Sequence, residues 1–422
     1  MKLSRPTCPP ECGDWYYTKA ILIFSFMALF LCFEMALQVS PGVMTRQLTK
    51  ALSLTPFSLG LMSGFYYVTY TAMQIPSGLM FDRTNFRVLV TLAILICSLG
   101  AALFGLSNSI ITASLSRLLM GFGSAFAFLS VLTVADRYFP ARYFALLTGI
   151  AQLLAAIGGM AGELPIAWLI DKLDWRNTLL LLAGIGTVLG LIIWWIVTKP
   201  KKPAVNAETC ENVSRTLHAI VRKPQTWWVA VYAFLNWAPV TAFAALWGVP
   251  YLQAAYGLPT TQAASLCALM WLGIGVASPF IGGLSDLMGR RNVLLVVTAL
   301  IGMISISLVL YTTRLPIWLL GSLLFLTGLG SSGQILSFAV VKDESAKNRV
   351  STSIGFNNMA VVASGMLMQP LIGHLLSHHA AGSDTYLLAD FRYALILLPI
   401  CYGICALLPF CLIRETYCGN KL

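Results

Sequence analysis

The sequence is poor in charge. Asp, Glu, Lys and Arg make up 10% of its 422 residues, against about a quarter in soluble chains. A water-facing surface for a soluble protein of this length cannot be built from so few. Acidic residues are scarcer than basic ones, 16 against 27, and there are 4 histidines. Long polar segments are nearly missing too: one alone, Lys199 to Lys223, interrupts the apolar sequence. No phosphate-cradling glycine loop occurs, which excludes energy taken from bound nucleotide. No grouping of nucleophile, base and metal ligands stands out, which leaves an enzyme without its chemistry. Of the 10 cysteines, Cys32, Cys97, Cys267, Cys401, Cys405 and Cys411 lie within apolar runs, and Cys8, Cys12, Cys210 and Cys418 fall in segments expected to face a reducing cytosol. A disulfide framework is not expected. The first apolar run is too long for a signal-peptide core and has no small-residue cleavage site behind it.

What is abundant is hydrocarbon, at 58% hydrophobic residues and a mean hydropathy of +0.79. Twelve apolar runs, from Tyr17–Met44 to Tyr393–Ile413, are each long enough for the roughly 20 residues that a helix needs to cross a bilayer. The expectation is an all-α integral membrane protein of two six-helix bundles. Its divisions are a tail (1–16), a first bundle (17–198), a linker (199–226), a second bundle (227–413) and a closing tail (414–422).

The net charge of +11 suggests nucleic acid until the charges are placed. About 20 Lys and Arg fall in the tails, linker and even-numbered loops, and about 6 in the odd-numbered loops. By the positive-inside rule both termini are cytosolic, and no nucleic-acid partner is needed.

The halves repeat at a nearly constant offset of about 204 to 207 residues. Gly78-Leu-Met-Phe-Asp82-Arg83 with Arg87 corresponds to Gly282-Gly-Leu-Ser-Asp286 with Gly289, Arg290 and Arg291. Gly121 and Gly123 correspond to Gly328 and Gly330. Gly149, Gln152, Gly159 and Glu163 correspond to Gly355, Asn358, Gly365 and Gln369, and, at a wider offset of 216, Asp174-Trp175-Arg176 corresponds to Asp390-Phe391-Arg392. Duplicated six-helix halves are a transporter architecture, with the substrate site between the repeats.

The Gly78 to Arg87 stretch, its weaker copy at Gly282 to Arg291, and Arg117-Leu-Leu-Met-Gly121-Phe-Gly123 in the fourth span resemble signatures of the major facilitator superfamily, and the resemblance covers essentially the whole chain. Phe33-Glu34 with Val39-Ser40-Pro41-Gly42 and the run Tyr70 to Gly78 are similar to a bacterial branch of phagosomal nutrient carriers and to the lysosomal dipeptide carriers. Gly149, Gly158 and Gly162 resemble the fifth-span motif of drug exporters, but Glu163 stands where that motif has proline, which weakens an exporter reading.

Charges inside hydrocarbon are costly and mark function by default. Glu34, Arg117 and Glu163 qualify, and all three fall in the outer half of the first bundle. They are expected to meet, with Arg117 holding a carboxylate ionised until a proton arrives, and the resemblance implies proton coupling for Arg117. The structural alternative is mutual neutralisation. Tyr67, Tyr70, Thr71 and Gln74 share one helical face. With Gln38, Tyr232, Asn236, Thr327, Ser331, Gln334, Asn358 and Gln369 they are expected to line a substrate cavity, the alternative being bonds between helices. Gly78, Asp82, Arg83 and Arg87, with Gly282, Asp286, Arg290 and Arg291, look like a cytosolic gate whose charge pairs hold the outward-open state. His374 and His378 have metal-ligand spacing without further ligands, so no metal site is expected, and no cofactor.

Together these features describe a monomeric secondary transporter of the bacterial inner membrane. Its partners are a small-molecule substrate, protons and lipid. The first expectation for the substrate is an amino acid or short peptide, ahead of a nucleoside. The alternative is a siderophore or export of a drug or metabolite.

Overall fold

A computed structural model describes residues 14–140, 144–197, 218–312, 314–345, 350–380 and 386–416. Most of both tails and of the linker, with Cys8, Cys12, Cys210 and Cys418, lies outside the described residues, as do the side chains of Asp82 and Arg83.

The described chain is helical. In order, α1 is Asp14–Val39, prolonged by a 3-10 turn (Ser40–Met44) and Thr45–Leu52; α2 is Pro56–Arg83; α3 is Phe86–Gly105; and α4 is Ile110–Ser124, continued by Ala127–Tyr138. A stretch Phe144–Ile196 holds α5 (144–173) and α6 (175–196), separated by Asp174, whose φ of 68° leaves helical geometry. In the second half α7 is Pro224–Pro239, continued by a π-helical turn (Val240–Trp247) and Gly248–Tyr256. Then come α8 (Thr260–Met288), α9 (Asn292–Tyr311), α10 (Ile317–Ser331 with Gln334–Glu344), α11 (Val350–His379) and α12 (Leu388–Leu395 with Leu397–Cys411).

Ten described helices have the length and apolar composition to cross a membrane. One of them, Leu147–Ile196, is the pair split at Asp174. Adding α2, whose Tyr, Thr and Gln residues lower its hydropathy, makes twelve, and the protein is a multi-pass membrane protein.

Local chemistry sets the helix starts. Thr55 and Ser58 bond reciprocally through side chain and backbone to open α2, with Pro56 at the first helical position. Ser109 and Thr112 do the same for α4. Gly257 and Gly289, with φ of 66° and 63°, close α7 and α8 in the left-handed conformation that glycine adopts without strain.

Packing repeats as the sequence does. A Cβ at Gly121 would collide with the carbonyl of Tyr66, and one at Gly328 with the carbonyl of Met270. Gly123 sits against Ala93 and Cys97, as Gly330 sits against Thr298 and Gly302. At the end distant from the termini, Arg176 donates to the carbonyls of Gly105 and Ser107 at 2.9 and 2.6 Å. Arg392 donates to that of Leu310 at 2.8 Å. Each arginine caps the open C-terminus of the bundle's third helix, where orphan carbonyls gather.

Among the described residues, the close glycine contacts between the halves gather on one side. Toward the far side, Gly42 lies on the backbone of Ala245, Gly60 and Gly64 on Gln369, Met366 and Pro370, Gly365 on the ring of Tyr67, and Gly373 on Pro56. Toward the termini, Gly78, Gly149, Gly282 and Gly355 on the corresponding helices have open space where a Cβ would be. Among the described residues, the two halves are packed together at the far side and parted at these four glycines toward the termini.

A candidate transport site at the seam between the halves

Glu34, Arg117 and Glu163 are all fully buried, but they do not meet as expected. Among the described residues no cationic side chain lies within 4.0 Å of either glutamate. Arg117 instead turns to backbone: Nη1 donates to the Leu37 carbonyl at 3.0 Å and Nη2 to that of Gln38 at 3.3 Å. The reason lies in α1. The Leu37 carbonyl would ordinarily accept from the N–H four residues on, but that residue is Pro41, which has none. The Ser40 hydroxyl and Arg117 fill the gap, at 3.0 Å each.

One tyrosine joins the charges. The Arg117 guanidinium lies 4.6 Å from the centre of the Tyr66 ring, within range of a cation–π contact. The Tyr66 hydroxyl donates to Glu34 Oε2 at 2.7 Å. Glu34 Oε1 and Arg117 Nε have no protein partner. Tyr66 escaped the sequence reading, which began the polar face of α2 one residue later; its place four residues before Tyr70 was the available signal. Gly121, one turn beyond Arg117, permits the close α2–α4 approach that sets the guanidinium on this ring.

Other expected cavity residues divide into two groups. Gln74 and Asn358 bond across the halves, Nδ2 of Asn358 donating to Oε1 of Gln74 at 2.8 Å. One turn nearer the termini, at Gly78 and Gly355, the helices have parted, so this bond marks where the seal begins. Tyr67 is buried with its hydroxyl unpartnered, as are Gln38 Oε1 and Thr71 Oγ1, and Tyr70 stacks edge-on to Tyr66 at 5.9 Å. Gln369 donates to the Thr241 carbonyl at 2.8 Å, in the π turn of α7, and Gln334 is buried.

The second group corrects the expectation. The Tyr232 hydroxyl donates to the Leu295 carbonyl at 2.9 Å, Asn236 Nδ2 to that of Gly330 at 3.2 Å, and the Thr327 hydroxyl to Ser305 Oγ at 3.1 Å. The Ser331 and Tyr402 hydroxyls share a bond of 2.6 Å. These donors are spent inside the second bundle, while Asn236 Oδ1 is buried without a partner. Spacing shows which side chains share a face, but the rotation of α7 and α10 decides what that face meets.

Of the gate residues, Arg291 and Arg87 make described contacts within their own half. Arg291 bonds Asp286 at 3.2 Å and Asp343 at 2.7 Å. Glu415, unforeseen from sequence, accepts from the backbone N–H groups of Arg291 and Asn292 at 2.8 and 2.9 Å, where a carboxylate complements the start of α9. Arg290 is exposed, and Arg87 lies 3.9 Å over the ring of Trp194. His374 and His378 pack ring to ring, and His379 Nδ1 bonds Asp390 at 2.5 Å.

Twelve spans in two repeated bundles, meeting along polar seams and open to one side, define a transporter. The chain belongs to the Major Facilitator Superfamily, whose sequence profile matches residues 22–259 and 233–420. A hexuronate transporter of Bacillus subtilis is 23% identical over 80% of this chain and 83% of its own length. A protein named for galactarate and D-glucarate transport in Escherichia coli is 22% identical over 78% and 81%, and one named for sulfoacetate in Cupriavidus necator 23% over 64% and 66%. The fold is similar to that of a bacterial homologue of the lysosomal transporter Spinster in an inward-facing, unoccupied conformation, with a TM-score of 0.78 and 15% identity over 97% of this chain and 99% of that one. The three sequence relatives are named for organic anions. They give no support to an amino acid or peptide as substrate, so that first expectation is replaced below.

Proposed function

We propose that the protein is a proton-coupled carrier that takes up a small organic anion by alternating access, acting as a monomer in the bacterial inner membrane with its termini in the cytosol. The observation that carries this reading is the chain Arg117, Tyr66, Glu34: a buried cation and a buried carboxyl separated by one tyrosine. With Glu34 ionised the pair is neutral overall and offers an anion little. A proton on Glu34 leaves Arg117 uncompensated in a medium of low polarity, where its field reaches far. Anion and proton then favour each other's binding by the same factor, which is what linkage requires of symport. The preference for a carboxylate rests on Arg117, the one fully buried cation within a span among the described residues, and on the acids for which the relatives are named. The charge count assigns the termini to the cytosol, and the open side then faces inward.

The test is uptake into proteoliposomes by hexuronate, glucarate, tartrate, sulfoacetate, an amino acid and a dipeptide, with and without an inward proton gradient. An acid is expected to accumulate against its gradient in the wild type. Glu34→Gln should exchange that acid without accumulating it. Uptake of the amino acid or dipeptide alone, or unaltered accumulation by Glu34→Gln, overturns the reading.

A further inference from the structure

Glu163 takes no part in the arrangement around Arg117, and its surroundings point elsewhere. Along α5, Ala156 contacts Gly275, and one turn on Gly159 lies against the ring of Trp271. The partners step back along α8 by four residues as α5 steps forward, as antiparallel helices must. One further turn brings Glu163 opposite Cys267, and the two side chains are in electrostatic reach. The neighbouring face of α5, Gly158 and Gly162, packs on Cys32, Met35, Ala36 and Val39 of α1. Helices α5 and α8 belong to different halves, so Glu163 stands in the seam, on its sealed side. Both its carboxyl oxygens lack partners, and so does the buried indole N–H of Trp271 in the facing helix.

We propose that Glu163 is a proton-operated latch of the α5–α8 seam. It takes a proton from far-side water before the seam closes over it. The same proton returns to the same side when the seam opens. The latch thus sets when the carrier closes without adding to the protons carried per cycle. An ionised carboxyl enclosed without a partner is costly to a sealed state and not to an open one, and this difference is what makes closure depend on far-side pH. Other titratable groups facing this part of α5 are engaged or neutral in character: Cys32 of α1 donates its thiol to the Leu154 carbonyl at 3.1 Å, Glu34 is turned to Tyr66, and Cys267 is the group across the seam. The inference rests on alternating access but not on the identity of the substrate or on Glu34.

The experiment measures the distance between the far ends of α5 and α8, with spin labels attached through keto amino acids at positions 173 and 262, so that native cysteines remain. In wild type, raising the pH is expected to move the population from the short to the long distance. Glu163→Gln should stay short throughout, with a long-to-short ratio at least tenfold lower at the alkaline end. Glu163→Asp should keep the response with a displaced midpoint. The proton-to-anion ratio, read from zero-flux potentials, should be unchanged in Glu163→Gln. A Glu163→Gln protein that responds as wild type, or one whose ratio falls by a proton, overturns the inference. Should Glu163→Gln fail to fold, a Glu163→Asp midpoint identical to wild type overturns it. A seam that never opens in wild type, at any pH or with any acid, would refute alternating access itself.

Discussion

The two bundles share a frame and differ in what they keep inside it. Gly121 and Gly328 let the fourth helix of each bundle press on the second, and Arg176 and Arg392 cap equivalent helix ends. Within that frame the first bundle buries Glu34, Tyr66, Arg117 and Glu163. At corresponding positions the second has Met270 for Tyr66, Leu324 for Arg117 and Gln369 for Glu163. Duplication copied the packing, and among the described residues the fully buried carboxyls and guanidinium stand in one copy. The neutral bundle answers with bonds of fixed charge, Gln369 to Thr241 and Trp247 to Gln369 at 2.8 and 3.2 Å. Under the proposed mechanism, a seam with one titrating wall and one constant wall would have a single set of proton states to pass through.

Forcing the bundles to resemble each other is the sharpest way to break this comparison. Leu324→Arg should have the largest effect, because Met270 stands where Tyr66 supplies the ring beside Arg117 in the first bundle. An unpaired buried charge costs about 3–5 kcal/mol or more, and loss of a monodisperse peak on size exclusion is the expected readout. Arg117→Ala removes two charge-assisted bonds of about 1.5–3 kcal/mol each, and initial uptake should fall about 100-fold or more. Gln369→Glu gives the second bundle a carboxyl but loses the amide donor to Thr241, for about 1–3 kcal/mol, read as a lowered thermal midpoint. Tyr66→Phe keeps the ring beneath Arg117 and deletes one hydroxyl. The cost is about 1 kcal/mol, and uptake should fall about five-fold.

Much of the fold was legible because its signals are repeated: apolar length, the recurrence of Gly-x-Gly in α4 and α10, and the Asp-aromatic-Arg entry to each sixth helix. The site was legible in composition rather than in contacts. Scarcity of intramembrane charge picks out Glu34, Arg117 and Glu163, yet pairing them with each other assumed that opposite charges find one another. Pro41 had already prepared a different partner for Arg117 by removing the N–H that the Leu37 carbonyl would have used. Thr327 and Ser331 share a face as predicted, but that face is turned toward α9 and α12. Glu415 was illegible because its role depends on the chain's last segment folding back beneath α9.

The glycines along the far-side seal also make a toolkit. A methyl group at Gly42 would lie 2.9 Å from the Ala245 carbonyl oxygen, and methyl groups at Gly60 and Gly159 would press on Gln369 and Trp271. Under the alternating access proposed above, these contacts part when the seal opens, so each added carbon would penalise one state and leave the other alone. Every 1.4 kcal/mol of that penalty shifts the ratio of states about tenfold. Alanine at these positions, singly and in combination, is a graded wedge with which the opposite conformation can be populated and captured for structure determination without touching a titrating residue.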